Sequence, residues 1–253
     1  MSHVPPADFL TVKSDNGSHR LAFLQVVGDG PTIVWLGGFR SDMRGSKAER
    51  LAEFCQSNGR SYLRFDYSGH GESDGRFVDG TISQWTADAR AMIEARTSGP
   101  LILVGSSMGG WISLLLARQL AGRVNAMLLL APAPDFTTKL VEPSLTQRER
   151  EDLVGQGYVA RASEYSPEPT IYTQKLMQDG LTQSLMTGPI DTGCPVHIIQ
   201  GMADPDVPYT HALELTEHLP GDGVVLTLVK DGDHRLSRDE DLARMEEAVK
   251  NLL

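Results

Sequence analysis

A serine lies between two glycines in the stretch Gly105-Ser-Ser-Met-Gly109, which places Ser107 at the centre of a G-x-S-x-G pattern. A serine on a sharp turn between a strand and a helix can attack an acyl carbonyl, and the glycines let neighbouring backbone approach that turn. The chain has 25 glycines, so the pattern alone does not separate a nucleophile from an ordinary small-residue turn. The four apolar residues before it and the helical apolar pattern after it favour the nucleophile.

A serine nucleophile needs a general base, and the base needs a group that orients it. Two later apolar runs supply candidates: one leads into Asp204 and Asp206, and the next leads into His234. Both sets follow the C-terminal end of a predicted strand, and the chain order serine, acid, histidine fits a parallel sheet that carries such a turn. We predict that Ser107 is the nucleophile and His234 the general base, with one of the two aspartates as the third member.

Six other histidines compete for the role of base. His70 is the main rival, but it precedes Ser107 in the chain, and we interpret it as a residue that fixes the turn after its strand. His211 and His218 share one predicted helix without the H-E-x-x-H spacing of a zinc site, so both are expected on the helix surface. These interpretations leave His234 as the favoured base.

The negative charge that develops on an attacked carbonyl oxygen needs hydrogen-bond donors. One donor is expected from the residue after the nucleophile, which is Met108. The other is expected from the loop after the third apolar run, where Gly37 and Gly38 allow a tight turn and Phe39 follows. We predict that the backbone N–H groups of Phe39 and Met108 form an oxyanion hole; the alternative is a glycine-rich loop without that role.

Eight short apolar runs, rich in β-branched residues, indicate the strands that carry these loops. From the third run onward, a helical pattern or a longer insertion separates each run from the next, which is typical of an α/β protein with a mostly parallel sheet flanked by helices. The first two runs have no helix between them and predict an antiparallel edge. The predicted helices cover 46–58, 81–97, 109–121, 208–219 and 238–252, with Ser46, Thr81 and Ser237 as N-caps.

A long insertion separates the sixth and seventh apolar runs. We predict one α/β domain over residues 1–253, with residues 134–193 forming a cap insertion over the C-terminal edge of the sheet. The stretch TQREREDL is interpreted as a solvated helix face, and TIYTQKLMQDG as a helix. Apolar cap residues either contact an acyl chain or pack the cap onto the core, and both alternatives stay open. These residues are Tyr158, Tyr165, Tyr172, Leu176, Met177, Leu181, Leu185 and Met186.

The composition argues against several partners and locations. A net charge of -10, without a run of lysine or arginine, argues against nucleic acid. The two cysteines, Cys55 and Cys194, form no C-x-x-C pair or Cys/His cluster, so we expect two reduced thiols, at least one of them buried, and no structural zinc. The N-terminal stretch lacks a signal-peptide pattern and no apolar run is long enough for a membrane span, so we expect a cytoplasmic protein without stable membrane insertion.

Together these motifs resemble the α/β-hydrolase superfamily over nearly the whole chain, through GSSMGG, GMADPDVP, DGDHR and RFDYSGHGESDG. More narrowly, GGFRSDMRGSKA with FCQSNGRSYLRFDYSGHGESDG is similar to the mitochondrial abhydrolase-domain group of palmitoyl-protein thioesterases and acyl-glucuronide esterases, and to its bacterial relatives. The resemblance assigns the acid to Asp204, because the segment from Gly201 to Pro208 matches the family pattern H-G-x-x-D-x-x-V-P. Gln200 stands where that pattern has its histidine.

The resemblance implies an α/β-hydrolase fold and a serine hydrolase that cleaves carboxylic esters or thioesters through an acyl-enzyme, with no cofactor and no metal. The expected substrate is a small ester or thioester, or an acylated protein. Two alternatives stay open: a carbon–carbon bond hydrolase or cofactor-free peroxidase on the same triad, and a non-catalytic ligand-binding protein. A nicotinamide-dependent oxidoreductase is disfavoured, because SGHGESDG has the wrong glycine spacing and no helix begins directly after it.

Overall fold

The computed structural model describes residues 5–14, 17–163 and 166–253. Ten strands are present in these residues, eight of them in one central sheet and two in a separate small sheet. In chain order they are β1 (Asp8–Ser14), β2 (Gly17–Val26), β3 (Asp29–Leu36), β4 (Arg60–Phe65), β5 (Leu101–Ser106), β6 (Val124–Leu130), β7 (Tyr158–Arg161), β8 (Thr170–Thr173), β9 (Val196–Gly201) and β10 (Val224–Val229).

The central sheet has the spatial order β1-β2-β4-β3-β5-β6-β9-β10. Strand β2 pairs antiparallel with both β1 and β4, and every other neighbouring pair is parallel. All eight predicted runs are strands of this sheet, and the predicted antiparallel edge is confirmed. Because β3, β5, β6 and β9 are parallel neighbours, their C-terminal ends and the loops that follow lie at one edge of the sheet.

Eight α-helices connect or flank the strands in the described residues. A 3₁₀ turn, Phe77–Asp79, precedes the second helix, and a π-helical turn, Thr137–Val141, precedes the fourth. The helices are α1 (Ser46–Ser57), α2 (Ile82–Arg96), α3 (Met108–Gln119), α4 (Glu142–Ser144), α5 (Gln147–Gly155), α6 (Gln174–Thr182), α7 (Tyr209–His218) and α8 (Asp239–Leu252).

The five predicted helices outside the cap insertion are present, with ends within two residues of the prediction. Thr81 caps α2 as predicted, because its hydroxyl accepts a hydrogen bond from the Gln84 N–H. The other two predicted caps are wrong: the N-cap residues are Gly45 and Arg238, and neither makes a side-chain capping bond. Helix ends commonly differ by one or two residues from a pattern-based boundary, since the cap depends on local backbone geometry.

The sheet is covered by helices on both faces, which explains why its central strands are mostly apolar. Successive side chains of β5 alternate between the faces: Leu103 packs in the cluster with α2, α3 and α7, while Ile102 and Val104 pack in the cluster with α1 and α8. All six β5 residues are buried. The turn that follows β5 is therefore fixed from both sides of the sheet.

Residues 134–193, for which the sequence predicts a cap insertion, contain α4, α5, α6 and a two-stranded antiparallel sheet formed by β7 and β8; we keep the name cap insertion for this segment. That small sheet was not predicted, and the first four residues of the predicted helix TIYTQKLMQDG form β8 instead. None of the residues of α5 is buried, as expected for the charged stretch. Among the described residues, no helix is both long and apolar enough to cross a membrane.

Polar side chains join the two ends of the cap insertion and anchor it to the rest of the chain. The fully buried Asp135 carboxylate accepts hydrogen bonds from the N–H groups of Leu185 and Met186. The carboxylate of Asp179 on α6 accepts bonds from both the N–H and the hydroxyl of Ser83 in the first turn of α2, at 2.9 and 2.6 Å. These bonds place a negative charge at the positive end of the α2 dipole.

Both cysteines are free thiols, Cys55 buried and Cys194 half-buried. Burial raises the pKa of Cys55 to about 12 and that of Cys194 to about 11, because it disfavours the thiolate. Both thiols are therefore protonated at neutral pH and poorly nucleophilic.

Candidate active site

The turn between β5 and α3 holds Ser107 in a strained backbone conformation, with φ 54° and ψ −116°. A positive φ is uncommon for a residue with a side chain and needs support from its surroundings. Two flanking glycines supply that support: a Cβ on Gly109 would lie 1.9 Å from the Leu36 carbonyl oxygen, and one on Gly105 would lie 2.4 Å from the Gly109 carbonyl oxygen. The predicted strand, turn and helix around Ser107 are confirmed.

Backbone hydrogen bonds fix the turn from the neighbouring strand. The Ser107 N–H donates to the Leu130 carbonyl at 2.9 Å, and the Ser107 carbonyl accepts from the N–H groups of Gly110 and Ala133 at 2.9 and 3.1 Å. Ser107 itself is half-buried, whereas its neighbours Ser106 and Met108 are buried. Its hydroxyl therefore lies at the positive end of α3 and within reach of other side chains.

The structure brings Ser107, His234 and Asp204 into one hydrogen-bonded row. His234 Nε2 lies 3.1 Å from Ser107 Oγ, and His234 Nδ1 lies 2.8 Å from Asp204 Oδ2. The three residues come from the loops after β5, β9 and β10. A proton on Nδ1, donated to the carboxylate, leaves the Nε2 lone pair facing the serine hydroxyl; this tautomer is assigned from the hydrogen-bond network.

The Asp204 carboxylate is oriented by three further donors. Its Oδ1 accepts bonds from the N–H groups of Asp206 and Val207, each at 2.8 Å, and its Oδ2 accepts one from Gln200 Nε2 at 3.1 Å. Gln200, which stands where the family pattern has a histidine, therefore supports the carboxylate directly. Of the two candidate aspartates, the structure places Asp204 against His234, while the main chain of Asp206 supports Asp204.

The loop after β3 lies beside the nucleophile. We call residues 37–43 the oxyanion loop. A Cβ on Gly38 would lie 3.4 Å from Ser107 Cβ, which shows how closely this loop approaches the turn. Neither the Phe39 N–H nor the Met108 N–H donates a hydrogen bond to another described residue. An oxyanion needs hydrogen-bond donors that are not already paired, so this geometry is compatible with the predicted role of the two N–H groups, which stays a prediction.

Aromatic side chains link the oxyanion loop to the cap insertion. The Phe39 ring contacts Phe77, Phe136 and Trp85, with centroids 4.8, 5.5 and 5.9 Å away, and stacks on Tyr172 of β8 at 5.6 Å and 6°. Such ring pairs contribute more to stability than the apolar area that they bury would account for. The contact between Phe39 and the cap insertion gave no signal in the sequence, because it joins residues more than a hundred positions apart.

A second link to the cap insertion runs through Arg40, which sequence reasoning also missed. Its guanidinium donates hydrogen bonds to the backbone carbonyls of Glu168 and Pro169 and pairs with the Glu168 carboxylate at 3.2 Å. The backbone of Arg40 has a φ of 59°. One residue therefore connects the peptide after Phe39 with the cap insertion.

The apolar residues of the cap insertion fall into different groups: four are buried in the core, one contacts the oxyanion loop, and two are exposed. Leu176, Met177, Leu185 and Met186 are buried in the core cluster that contains α2 and α3, so they pack the cap insertion onto the sheet layer. Tyr172 is half-buried against Phe39, Tyr158 and Leu181 are exposed, and Tyr165 lies outside the described residues.

One expectation about the other histidines is wrong. His211 is 4% exposed, and its Nε2 lies 2.9 Å from the Pro134 carbonyl oxygen, so it is a buried residue and not a surface one. Burial lowers its pKa and keeps the ring neutral at neutral pH. Its helix, α7, packs that face against the start of the cap insertion, which the helix sequence by itself does not reveal.

Within the described part of the chain, only Asp204, Asp206 and His234 bring three potential metal-binding side chains together. Their ligand atoms lie within 4.8 Å of one another. However, the His234 Nδ1 and Asp204 Oδ2 atoms are already joined by a hydrogen bond at 2.8 Å. A metal ion would have to replace that bond, so these residues fit a hydrogen-bonded triad better than a metal site.

Comparisons with known proteins agree with this geometry. Residues 32–156 match the family model described as serine aminopeptidase, S33. The chain is 34% identical over 225 residues to the mouse mitochondrial palmitoyl-protein thioesterase ABHD10, covering 88% of this chain and 75% of that protein. The crystal structure of a putative hydrolase from Agrobacterium vitis matches with a TM-score of 0.95 and 52% identity, over 98% of this chain and 99% of that one.

The solved structure of mouse alpha/beta hydrolase domain-containing protein 10 matches with a TM-score of 0.88 and 30% identity, over 97% of this chain and 98% of that one. The central sheet with its single antiparallel strand, the serine turn after β5 and these similarities lead to one conclusion. The chain belongs to the α/β hydrolases, as an enzyme of the esterase and thioesterase family that includes ABHD10.

Proposed function

We propose that this enzyme hydrolyses carboxylic esters or thioesters, with Ser107 as nucleophile, His234 as general base and Asp204 as the group that orients the base. One observation carries the proposal: a single imidazole lies 3.1 Å from the serine hydroxyl and 2.8 Å from the carboxylate. In this arrangement the ring can take a proton on one side while its charge is stabilised on the other.

The first half of the reaction forms an acyl-enzyme. Ser107 Oγ bonds to the acyl carbon while His234 Nε2 takes the hydroxyl proton, and the carbonyl oxygen becomes an oxyanion. The N–H groups of Phe39 and Met108 donate to that oxyanion. When the tetrahedral intermediate collapses, the bond to the leaving oxygen or sulfur breaks and His234 returns the proton to the leaving group.

The second half repeats these steps with water. His234 takes a proton from a water molecule, the resulting hydroxide attacks the acyl carbon, and the acid leaves as Ser107 recovers its proton. Every proton moves through His234, so the cycle uses no cofactor and no metal. The proposed substrates are small-molecule esters or thioesters, and the name of the mouse relative, palmitoyl-protein thioesterase, adds acylated proteins as a second class.

The test is hydrolysis of p-nitrophenyl esters from acetate to palmitate by the wild type, by Ser107→Ala and by Ser106→Ala. Ser106 is the adjacent serine and is buried, so its variant is a matched control. We expect Ser107→Ala to lose on the order of 10⁶-fold in kcat and Ser106→Ala to stay within about threefold of the wild type. Equal activity of the wild type and Ser107→Ala would refute the proposal.

A second comparison, of two substrates that share an acyl chain and differ in the leaving group, separates esters from thioesters. Rates for an acyl-coenzyme A and for a p-nitrophenyl ester with the same acyl chain measure the leaving-group preference directly, because both substrates pass through the same acyl-enzyme. A common rate of deacylation with different rates of acylation is the expected pattern for one serine acting on both classes.

A further inference from the structure

Three hydrogen bonds clamp the oxyanion loop to the segment that follows β4. Tyr67 Oη donates to the Gly37 carbonyl at 3.4 Å, the Arg40 N–H donates to His70 Nε2 at 3.3 Å, and the Met43 N–H donates to Asp66 Oδ1 at 2.7 Å. The first and third bonds hold the two ends of the loop. The middle bond holds the peptide that follows Phe39.

The His70 ring is fixed in place by its surroundings. It is 3% exposed and meets the rings of Tyr67, Phe77 and Trp85 edge to face, with centroids 5.5, 5.1 and 5.1 Å away. Its Nδ1 lies 3.3 Å from the Ser68 carbonyl oxygen, which also accepts a bond from the Trp85 indole N–H. The ring therefore cannot turn without losing both its packing and its hydrogen bonds.

The protonation state of His70 suits an acceptor. Burial is the largest effect on this group and lowers its pKa to about 4, so the ring is neutral at neutral pH. With the single proton on Nδ1, donated to Ser68, the Nε2 lone pair is free to accept the Arg40 N–H. A protonated ring would present a second donor to that N–H and lose the bond.

We propose that His70 is a positioning residue for the oxyanion hole: by accepting the Arg40 N–H, it holds the peptide after Phe39 so that the Phe39 N–H faces the oxyanion formed at Ser107. The left-handed backbone of Arg40, with a φ of 59°, is a conformation that needs such support. This inference rests on the proposed function, since it assigns a role in the same acyl transfer.

Three substitutions of His70 separate the acceptor from the ring. In His70→Gln the side-chain oxygen reaches the place of Nε2 and can accept the Arg40 N–H. In His70→Asn the amide reaches only the place of Nδ1, so the bond to Arg40 is lost. In His70→Phe the ring contacts stay and both polar atoms are lost, which keeps one acceptor-free variant available if the other does not fold.

We expect the acceptor-free variants to stabilise the transition state less well while they bind the substrate as the wild type does. We expect His70→Asn and His70→Phe to lower kcat for a p-nitrophenyl ester by about 10- to 100-fold with KM unchanged, and His70→Gln to stay within about fivefold of the wild type. His197→Gln is the control for replacing a half-buried histidine elsewhere, since His197 bonds Thr227 on the neighbouring strand. It should keep the wild-type kcat.

A second readout reports on the oxyanion directly. An alkyl trifluoromethyl ketone is an inhibitor that mimics the tetrahedral intermediate. Ser107 Oγ adds to its carbonyl carbon, and the resulting oxyanion occupies the oxyanion hole. We expect its Ki to rise in parallel with the fall in kcat for His70→Asn and His70→Phe, and to stay near the wild-type value for His70→Gln.

Two results would overturn the inference. One is a loss of kcat in His70→Gln as large as that in His70→Asn, with His70→Phe at the wild-type value, which would mean that the ring matters only for packing. The other is an unchanged kcat and Ki in the acceptor-free variants. Failure of the proposed function looks different, because then the wild type itself has no hydrolysis that Ser107→Ala abolishes.

Discussion

Replacing Asp204 with asparagine should abolish catalysis by reversing the tautomer of His234. Asp204 Oδ1 accepts two backbone N–H groups, from Asp206 and Val207, each at 2.8 Å. In Asp204→Asn the amide oxygen has to occupy this position, because an NH₂ group there would face two donors. The NH₂ group therefore takes the place of Oδ2, 2.8 Å from His234 Nδ1.

An NH₂ group at that place forces His234 to accept at Nδ1 and to carry its proton on Nε2. The imidazole then presents an N–H to Ser107 and cannot take the hydroxyl proton. For a serine hydrolase with the same kind of change, the loss is on the order of 10⁴-fold in kcat, or about 5 kcal/mol of transition-state stabilisation. The same substitution also sets the Gln200 amide N–H against a donor, so we expect a small loss of stability as well.

The assay is kcat for the best p-nitrophenyl ester between pH 7 and 9, with the melting temperature measured on the same samples. Asp206→Asn is the matched control, because it removes the same charge from the same loop and leaves the Asp206 N–H in place. It should retain kcat within about threefold. Asp204→Asn with more than a tenth of the wild-type kcat, or an equal loss in Asp206→Asn, would refute the assignment of the acid.

Three further outcomes concern the supports of the site. Gly109→Ala puts a methyl group 1.9 Å from the Leu36 carbonyl oxygen, so urea denaturation should show a free energy of unfolding lower by about 3 kcal/mol. The control Gly155→Ala has open space around the new methyl group and should leave that free energy unchanged. The pKa of His70 is about 4 in the folded state against 6.5 for a free histidine, so the unfolded chain takes up this proton first as the pH falls; the stability difference between the wild type and His70→Gln should therefore change by about 3 kcal/mol against the wild type from pH 7 to pH 4. Asp135→Ala leaves buried N–H donors unpaired and should cost about 3 kcal/mol, with cleavage by a protease in the cap insertion faster than in the wild type.

The sequence was sufficient for the features that depend on local pattern. The apolar run before Ser107, the helical pattern after it and the small residues between them specify a strand, a turn and a helix, and the structure contains all three. The order of Ser107, Asp204 and His234 along a parallel sheet was enough to expect them at one edge, and their side chains meet there. Their catalytic roles stay predictions until the variants are measured.

Features that depend on distant partners could not be predicted. The four residues Tyr158–Arg161 form a strand only because Thr170–Thr173 pairs with them, and the helical pattern that begins in the second segment hid that pairing. The pattern of its own helix predicts that His211 is on the surface. The ring is buried because the segment around Pro134, distant in sequence, packs against it and accepts its hydrogen bond. Residue type and chain position alone do not distinguish Asp204 from Asp206, and only the resemblance of the segment from Gly201 to Pro208 to the family pattern assigned the acid to Asp204.

The position of Arg40 limits how this enzyme can be re-engineered. Its backbone N–H is held by the core, through His70, while its guanidinium is held by the cap insertion, through Glu168 and Pro169. A cap taken from another hydrolase, grafted to change the substrate range, would remove the second set of acceptors while leaving the first. Such a chimera has to bring its own carbonyl or carboxylate partners for Arg40, or the graft disturbs the peptide beside Phe39 together with the specificity that it was meant to change.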